Sequence, residues 1–134
     1  MNIQSILVNH MKEPLGFLLE HLRIEFTLEA DRFEEIQKQL TLSVADQPVY
    51  QTEFLPFDNN FFEVDLDLLP RTRYDIKITI RTADQECISS SSYFETGKMA
   101  EPFLAKWIAN ENKEIQNTLF KKNITISKEV AKAR

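Results

Sequence analysis

The chain has 134 residues, of which 43% are hydrophobic, and a formal net charge of −5 at pH 7. This length suffices for one domain with its own core, whereas the negative charge argues against nucleic acid and anionic membranes, which call for a basic surface. The single cysteine, Cys87, excludes an internal disulfide or a cysteine-built metal site. The sequence shows neither a signal peptide nor a membrane span, so a cytoplasmic location is expected.

Apolar and polar residues alternate through most of the chain. A period of two places successive side chains on opposite faces of a strand, so each segment would bury one face. Seven strands are predicted, at residues 3–9, 22–28, 36–44, 50–54, 62–68, 74–80 and 88–96. Lys38 is the one misfit on the apolar face of its strand. Pro48 and Pro56 flank the 50–54 strand and predict an edge strand, because proline cannot donate to a ladder.

Tyr74 opens the strand with the clearest alternation and follows a turn that contains Pro70. This order matches the tyrosine corner of immunoglobulin-like sandwiches, in which the buried tyrosine hydroxyl bonds to backbone a few residues upstream. A core tyrosine on any antiparallel strand is the alternative. With Phe26 and Phe94 as further core residues, the sequence predicts an all-β, seven-stranded antiparallel immunoglobulin- or fibronectin III-like sandwich with a C-terminal extension.

Gly97 is expected to end the sandwich. Residues 1–97 would then form one domain, and residues 98–134 a linker and the first strand of a truncated following β-domain. Apolar residues in the linker recur at spacings of three and four, which allows a short helix or an irregular segment. Phe103, Trp107 and Ile108 are the candidates for packing against another domain.

Residue types that carry chemistry are present, but their spacing does not build a site. Glu63, Asp65 and Asp67 share one strand face, which is more typical of a solvated surface than of a metal or acid–base cluster. His10 and His21 lack the spacing of a zinc site. Cys87 follows Glu86, whose charge disfavours a thiolate. We therefore predict no catalytic, cofactor-binding or metal-binding residue, and no cofactor.

Six segments of the chain form a specific series: Val8-Asn9-His10, Glu13-Pro14-Leu15-Gly16, the strand at 22–28, Leu69-Pro70-Arg71-Thr72-Arg73-Tyr74, Phe94-Glu95-Thr96-Gly97 and Ala105-Lys106-Trp107-Ile108. In this order they resemble the opening of bacterial α-L-rhamnosidases. The chain departs from that pattern at Phe26 and Asp75, where the family often has tryptophan. The first departure keeps the core apolar, and the second makes the outer face more polar.

The resemblance implies an N-terminal fibronectin III-like domain that precedes further β-domains and a helical barrel. In such enzymes the barrel hydrolyses terminal α-L-rhamnose with inversion and carries the acid and base carboxylates. The chain would then be a non-catalytic accessory domain of an α-L-rhamnosidase, partnered by the following domains of its own polypeptide. The alternative is a free-standing fibronectin-like protein-binding or adhesion module. A third reading, sugar binding by this domain, needs an exposed aromatic platform, and Trp107 is the only tryptophan.

The C-terminal tail has its own alternation, with Phe120, Ile124 and Ile126 on one face. An unpaired apolar strand tends to seek a sheet edge. We expect residues 119–126 to be ordered against such an edge, in this sandwich or in a second copy, which would make a strand-mediated homodimer. Disorder of the tail is the remaining alternative.

Overall fold

The computed structural model of the chain describes residues 1–30, 35–106, 108 and 119–129. The described residues form β-strands and connecting segments, with no helix; none of them belongs to a helix that could span a membrane. The strands are β1 (Asn2–Val8), β2 (Leu15–Phe17), β3 (Leu22–Glu29), β4 (Gln37–Val44), β5 (Gln47–Gln51), β6 (Leu55–Pro56), β7 (Phe61–Val64), β8 (Arg73–Arg81) and β9 (Cys87–Thr96).

The strands form two sheets whose inner faces share one core. The smaller sheet is antiparallel, in the order β1-β3-β7. The larger sheet has the order β2-β9-β8-β4-β5, with β6 also paired to β4. This is the all-β sandwich that the alternating pattern predicts, and each of the seven predicted segments overlaps an observed strand.

Burial follows the predicted alternation. On β8, Tyr74, Ile76, Ile78 and Ile80 are all buried, whereas the residues between them lie on the outer face. Full burial of a large aliphatic side chain stabilises the folded state by about 1.5–3 kcal/mol. The hydrophobic period of two in this strand is therefore enough to fix which of its faces points inward.

Aromatic side chains form two stacked pairs in the core. Phe26 stacks on Phe62 with ring centroids 6.0 Å apart, and Phe57 meets Phe26 edge-on at 6.1 Å. Tyr74 and Phe94 stack with centroids 5.0 Å apart and an interplanar angle of 8°. The three residues that the sequence places in the core, Phe26, Tyr74 and Phe94, are each at most 2% exposed.

Lys38, the misfit of its strand, is buried at 3% exposure. Its ammonium group donates to the carbonyl oxygens of Asn59 and Phe61 at 3.0 and 3.1 Å, and to the Asn59 side chain at 2.6 Å. It also pairs with Asp58 at 3.2 Å. This hydrogen bond is the main reason that the pKa of Asp58 lies below its ordinary value of 3.8. The buried cation thus holds the loop before β7 against the core.

The structure departs from the expected all-antiparallel sandwich at β2. The stretch from Lys12 to Gly16 contains Pro14 and Gly16, residues typical of a turn, but Leu15 and Phe17 pair in parallel with Glu95 and Thr96 of β9. Gly16 has a φ of 76°, so part of the segment does bend as a turn would. The pairing has no local sequence signal, because its partner strand lies some eighty residues away.

The region between β4 and β7 also differs from the prediction. The chain reverses through Ala45 and Asp46, which both have positive φ, and β5 begins at once with Gln47 paired to Val44. A two-residue turn of this kind matches the twist of the strands it joins. The predicted 50–54 strand is therefore displaced towards the N-terminus, and β6 follows as a separate two-residue pairing.

The chain divides into two compact units, Met1–Pro102 and Phe103–Arg134. Of the second unit, residues 103–106, 108 and 119–129 are described, and they contain no strand or helix. The strand expected at 119–126 is thus not found in this chain; Phe120, Ile124 and Ile126 are all exposed. Apolar alternation alone does not make a strand, because the ladder needs a partner. Pairing of this tail with a second copy stays a prediction.

Candidate functional site: the exit junction

Three segments that are distant in sequence meet where β9 ends. They are residues 14–17, which include β2, residues 69–74, which lead into β8, and residues 94–97, the last residues of β9 and Gly97. We call this region the exit junction, because the polypeptide leaves the sandwich here. Three of the six segments in the series described above form it.

Thr96 is the polar centre of the junction and is only 3% exposed. Its hydroxyl donates to the Leu69 carbonyl oxygen at 2.6 Å and accepts from the Thr72 amide at 2.9 Å. Its backbone amide donates to the Thr72 carbonyl oxygen at 3.0 Å. A buried hydroxyl is tolerated when its donor and acceptor are both used, and here this ties the end of β9 to the turn before β8.

The two glycines of the chain are in contact on the other side of the junction. A Cβ atom added to Gly97 would lie 2.4 Å from the carbonyl oxygen of Gly16 and 3.0 Å from its carbonyl carbon. The Gly97 amide donates to the Phe17 carbonyl oxygen at 2.9 Å, and the Glu95 amide donates to the Pro14 carbonyl oxygen at 2.9 Å. Glycine at 97 thus permits the close approach on which β2 pairing depends.

Tyr74 closes the junction from the core side. It is 2% exposed, and its hydroxyl accepts a hydrogen bond from the Leu69 amide at 2.8 Å. The Leu69–Tyr74 segment is therefore held at both ends by one buried side chain, the arrangement of a tyrosine corner. Arg71 has a positive φ of 53°, and its amide donates to the Gly97 carbonyl oxygen at 2.7 Å.

The first residues after the sandwich fold back on the junction. The Glu101 amide donates to the Lys98 carbonyl oxygen at 3.0 Å, and Met99 takes a positive φ of 51°. Arg71 Nε lies 2.8 Å from Glu101 Oε2, with both side chains largely in water. An exposed pair of this kind contributes about 0–1 kcal/mol to stability, so it adds only a little to the stability of this turn.

The Val8-Asn9-His10 segment has a comparable structural role between β1 and β3. Asn9 and His10 form a turn with positive φ at both residues, closed by two backbone hydrogen bonds between Val8 and Met11. The Asn9 side chain accepts from the Arg23 amide at 2.8 Å and donates to the His21 carbonyl oxygen at 2.7 Å. It thereby fixes the register at the start of β3.

Two of the three residues proposed for packing between domains are described. Phe103 and Ile108 belong to the second unit and are 78% and 67% exposed. Trp107 lies outside the described residues. Their role against a following domain therefore stays a prediction.

The candidate acidic residues, the two histidines and Cys87 are all exposed in the described part of the chain. Glu63, Asp65 and Asp67 are exposed along a cleft of about 360 Å³ that His21 also lines. His10 Nδ1 lies 2.8 Å from a Glu25 carboxylate oxygen. Within residues 1–30, 35–106, 108 and 119–129, no group of three or more His, Cys, Asp or Glu side chains is placed to hold a metal ion.

The fold defines a protein class, an immunoglobulin-like β-sandwich. In this sandwich the end of β9 is held by hydrogen bonds to residues 14–17 and to the turn before β8. The chain belongs to the family described as the Rha78A-like, N-terminal immunoglobulin domain, whose model matches residues 3–100. It is also similar to a solved α-L-rhamnosidase from Dictyoglumus thermophilum, with 17% identity and a TM-score of 0.64. The similarity covers 75% of this chain but only 13% of that one. No curated protein matches the sequence.

The contact between the two glycines and the role of Thr96 were not foreseen from the sequence. The Phe94-Glu95-Thr96-Gly97 segment stood out through its resemblance, but nothing local distinguishes Thr96 from the other hydroxyl residues of β9. The sequence offers one signal for these glycines: the chain has only two in 134 residues, which suggests that each meets a specific backbone requirement.

Proposed function

We propose that this domain is a non-catalytic accessory domain of an α-L-rhamnosidase and that its role is structural. The observation that carries the proposal is the exit junction. Three segments of the resemblance meet there and hold the end of β9 by hydrogen bonds. The Thr96 hydroxyl by itself bonds to two residues of the turn before β8, Leu69 and Thr72. A domain built in this way gives the polypeptide beyond it a defined starting point.

The family match and the fold of the solved α-L-rhamnosidase support the assignment of the parent enzyme. This chain spans about an eighth of that solved chain, so catalysis would belong to the remainder of such a protein. On this proposal the partners of the domain are the domains that follow it, and the exposed Phe103 and Ile108 are available to contact them.

An activity comparison tests the proposal. The 134-residue chain and the polypeptide encoded by its complete reading frame would be incubated with an aryl α-L-rhamnoside. We expect turnover by the longer polypeptide and none by the 134-residue chain. Turnover by the short chain that is lost on mutation of one of its own carboxylates would refute the structural role. A reading frame without a hydrolase domain would instead favour the free-standing binding module.

A further inference from the structure

Large apolar side chains are exposed around the exit junction. Leu15 and Phe17 of β2 are 55% and 49% exposed, Leu18 is 60% exposed, and Leu69 is 59% exposed. We call these four residues the exit patch. Single exposed apolar residues are ordinary, but a group of them at one place marks an interaction surface.

The members of the exit patch are brought together by the junction itself. Leu15 pairs with Glu95 and Phe17 with Thr96 across the β2–β9 ladder. On the other side, the Leu69 carbonyl oxygen accepts the Thr96 hydroxyl hydrogen bond at 2.6 Å. The backbones that carry the patch therefore flank Thr96 within about two strand spacings, roughly 10 Å.

The strand in this patch is a short sheet edge without a protecting charge or proline. Among the described strands β2 pairs only with β9, and its sequence, Leu15-Gly16-Phe17, has no charge and no proline. Exposed edges are normally protected by lysine, proline or a covering segment. The other edge of this sheet illustrates the contrast, because β5 includes Pro48.

We propose that the exit patch is the docking surface for the domain that follows in the longer polypeptide, which would present an uncharged apolar surface to it. The inference rests on the proposed function. Position favours this occupant: Gly97, where the chain leaves the sandwich, touches Gly16 and Phe17, so any domain that follows is linked to the sandwich through a residue in contact with β2. Covalent linkage makes this docking intramolecular, at an effective concentration that the linker sets, an advantage that a second copy of the chain lacks.

Hydrogen exchange measured on the 134-residue chain and on the complete polypeptide tests the inference. We expect the amides of residues 15–18 to exchange at least about tenfold more slowly in the complete polypeptide. In that polypeptide Leu18→Glu should restore fast exchange at residues 15–17. The matched control is Val49→Glu, at an apolar residue of β5 that is 45% exposed, and it should leave the protection of residues 15–18 in place.

Failure of this inference can be distinguished from failure of the proposed function. Rhamnosidase activity of the complete polypeptide with equal exchange at residues 15–18 would overturn the docking surface and leave the function standing. Slower exchange at residues 15–18 in a complete polypeptide that lacks rhamnosidase activity would support the docking surface and overturn the proposed function. A reading frame with no following domain would overturn both. Protection in the 134-residue chain that rises with its concentration and is lost in Leu18→Glu would assign the patch to a second copy, against the inference.

Discussion

Substitution of Gly97 by alanine tests whether the exit junction depends on the contact between the two glycines. The new Cβ atom would lie 2.4 Å from the Gly16 carbonyl oxygen, so β2 would have to move by about 1 Å to restore ordinary contact. Overpacking of this kind typically costs about 1–3 kcal/mol. The move also strains the bonds that the Gly97 amide donates to Phe17 and the Glu95 amide donates to Pro14, so we expect a loss of about 2 kcal/mol.

Thermal unfolding and hydrogen exchange measure this effect. For a domain of this size, 2 kcal/mol corresponds to a fall in Tm of about 8–16 °C. The amides of Glu95 and Gly97, which donate to the 14–17 segment, should lose protection, whereas the Thr96 amide, which donates to Thr72, should keep it. The matched control is Ser91→Ala at an exposed position of the same strand, expected to change stability by less than about 0.5 kcal/mol. Equal stability of the two variants would refute the reasoning.

Four further predictions follow from other contacts. Tyr74→Phe removes the acceptor of the Leu69 amide and should lower the free energy of unfolding in urea by about 1 kcal/mol. An unchanged urea midpoint would contradict the stabilising role of the Tyr74 hydroxyl. Lys38→Met keeps the apolar stem but leaves carbonyl oxygens without their donor, so a loss of about 1–3 kcal/mol is expected, and a stabilised variant would show that the buried cation is dispensable. The folded-state pKa of Asp58 is lowered below 3.8, so the stabilising contribution of this carboxylate is present above pH 3.8 and is lost as the pH falls through the folded pKa. Unfolding measured above and below pH 3.8 should therefore show a shallower loss of stability with acid in Asp58→Asn than in the original chain. Identical pH profiles would argue against the Lys38–Asp58 pair. Residues 119–126 should gain hydrogen-exchange protection as the concentration of the chain rises if they pair with a second copy, and fast exchange at every concentration would exclude that pairing.

Much of the fold could be predicted from local pattern alone. The alternation in β8 is so regular that its inner face, from Tyr74 to Ile80, follows from side-chain period and hydrophobicity. Tyr74 after a proline-containing turn was a second local signal, and its hydroxyl does accept a hydrogen bond from nearby backbone. Such features can be read in sequence because both the cause and the consequence lie within about ten residues.

Lys38 shows where the sequence raised a question without answering it. A lysine on an apolar strand face is a visible anomaly, but its partners lie about twenty residues away: Asp58 and Asn59 in the loop before β7, and Phe61 at the start of β7. Burial of an ammonium group requires hydrogen-bond acceptors that surround it, and only the folded loop supplies them. The sequence could flag the residue but could not name its partners.

By itself the sequence determined that the chain forms a two-faced β-sandwich, where most strands lie and which side chains enter the core, because these follow from the alternation of neighbouring residues. The tertiary structure decided the parallel β2–β9 pairing, the task of Thr96 and the need for glycine at 97. These depend on the approach of backbones far apart in sequence, Gly16 and Gly97 among them. Close approach of that kind is a property of distances in three dimensions, and hydrophobic period carries no information about it.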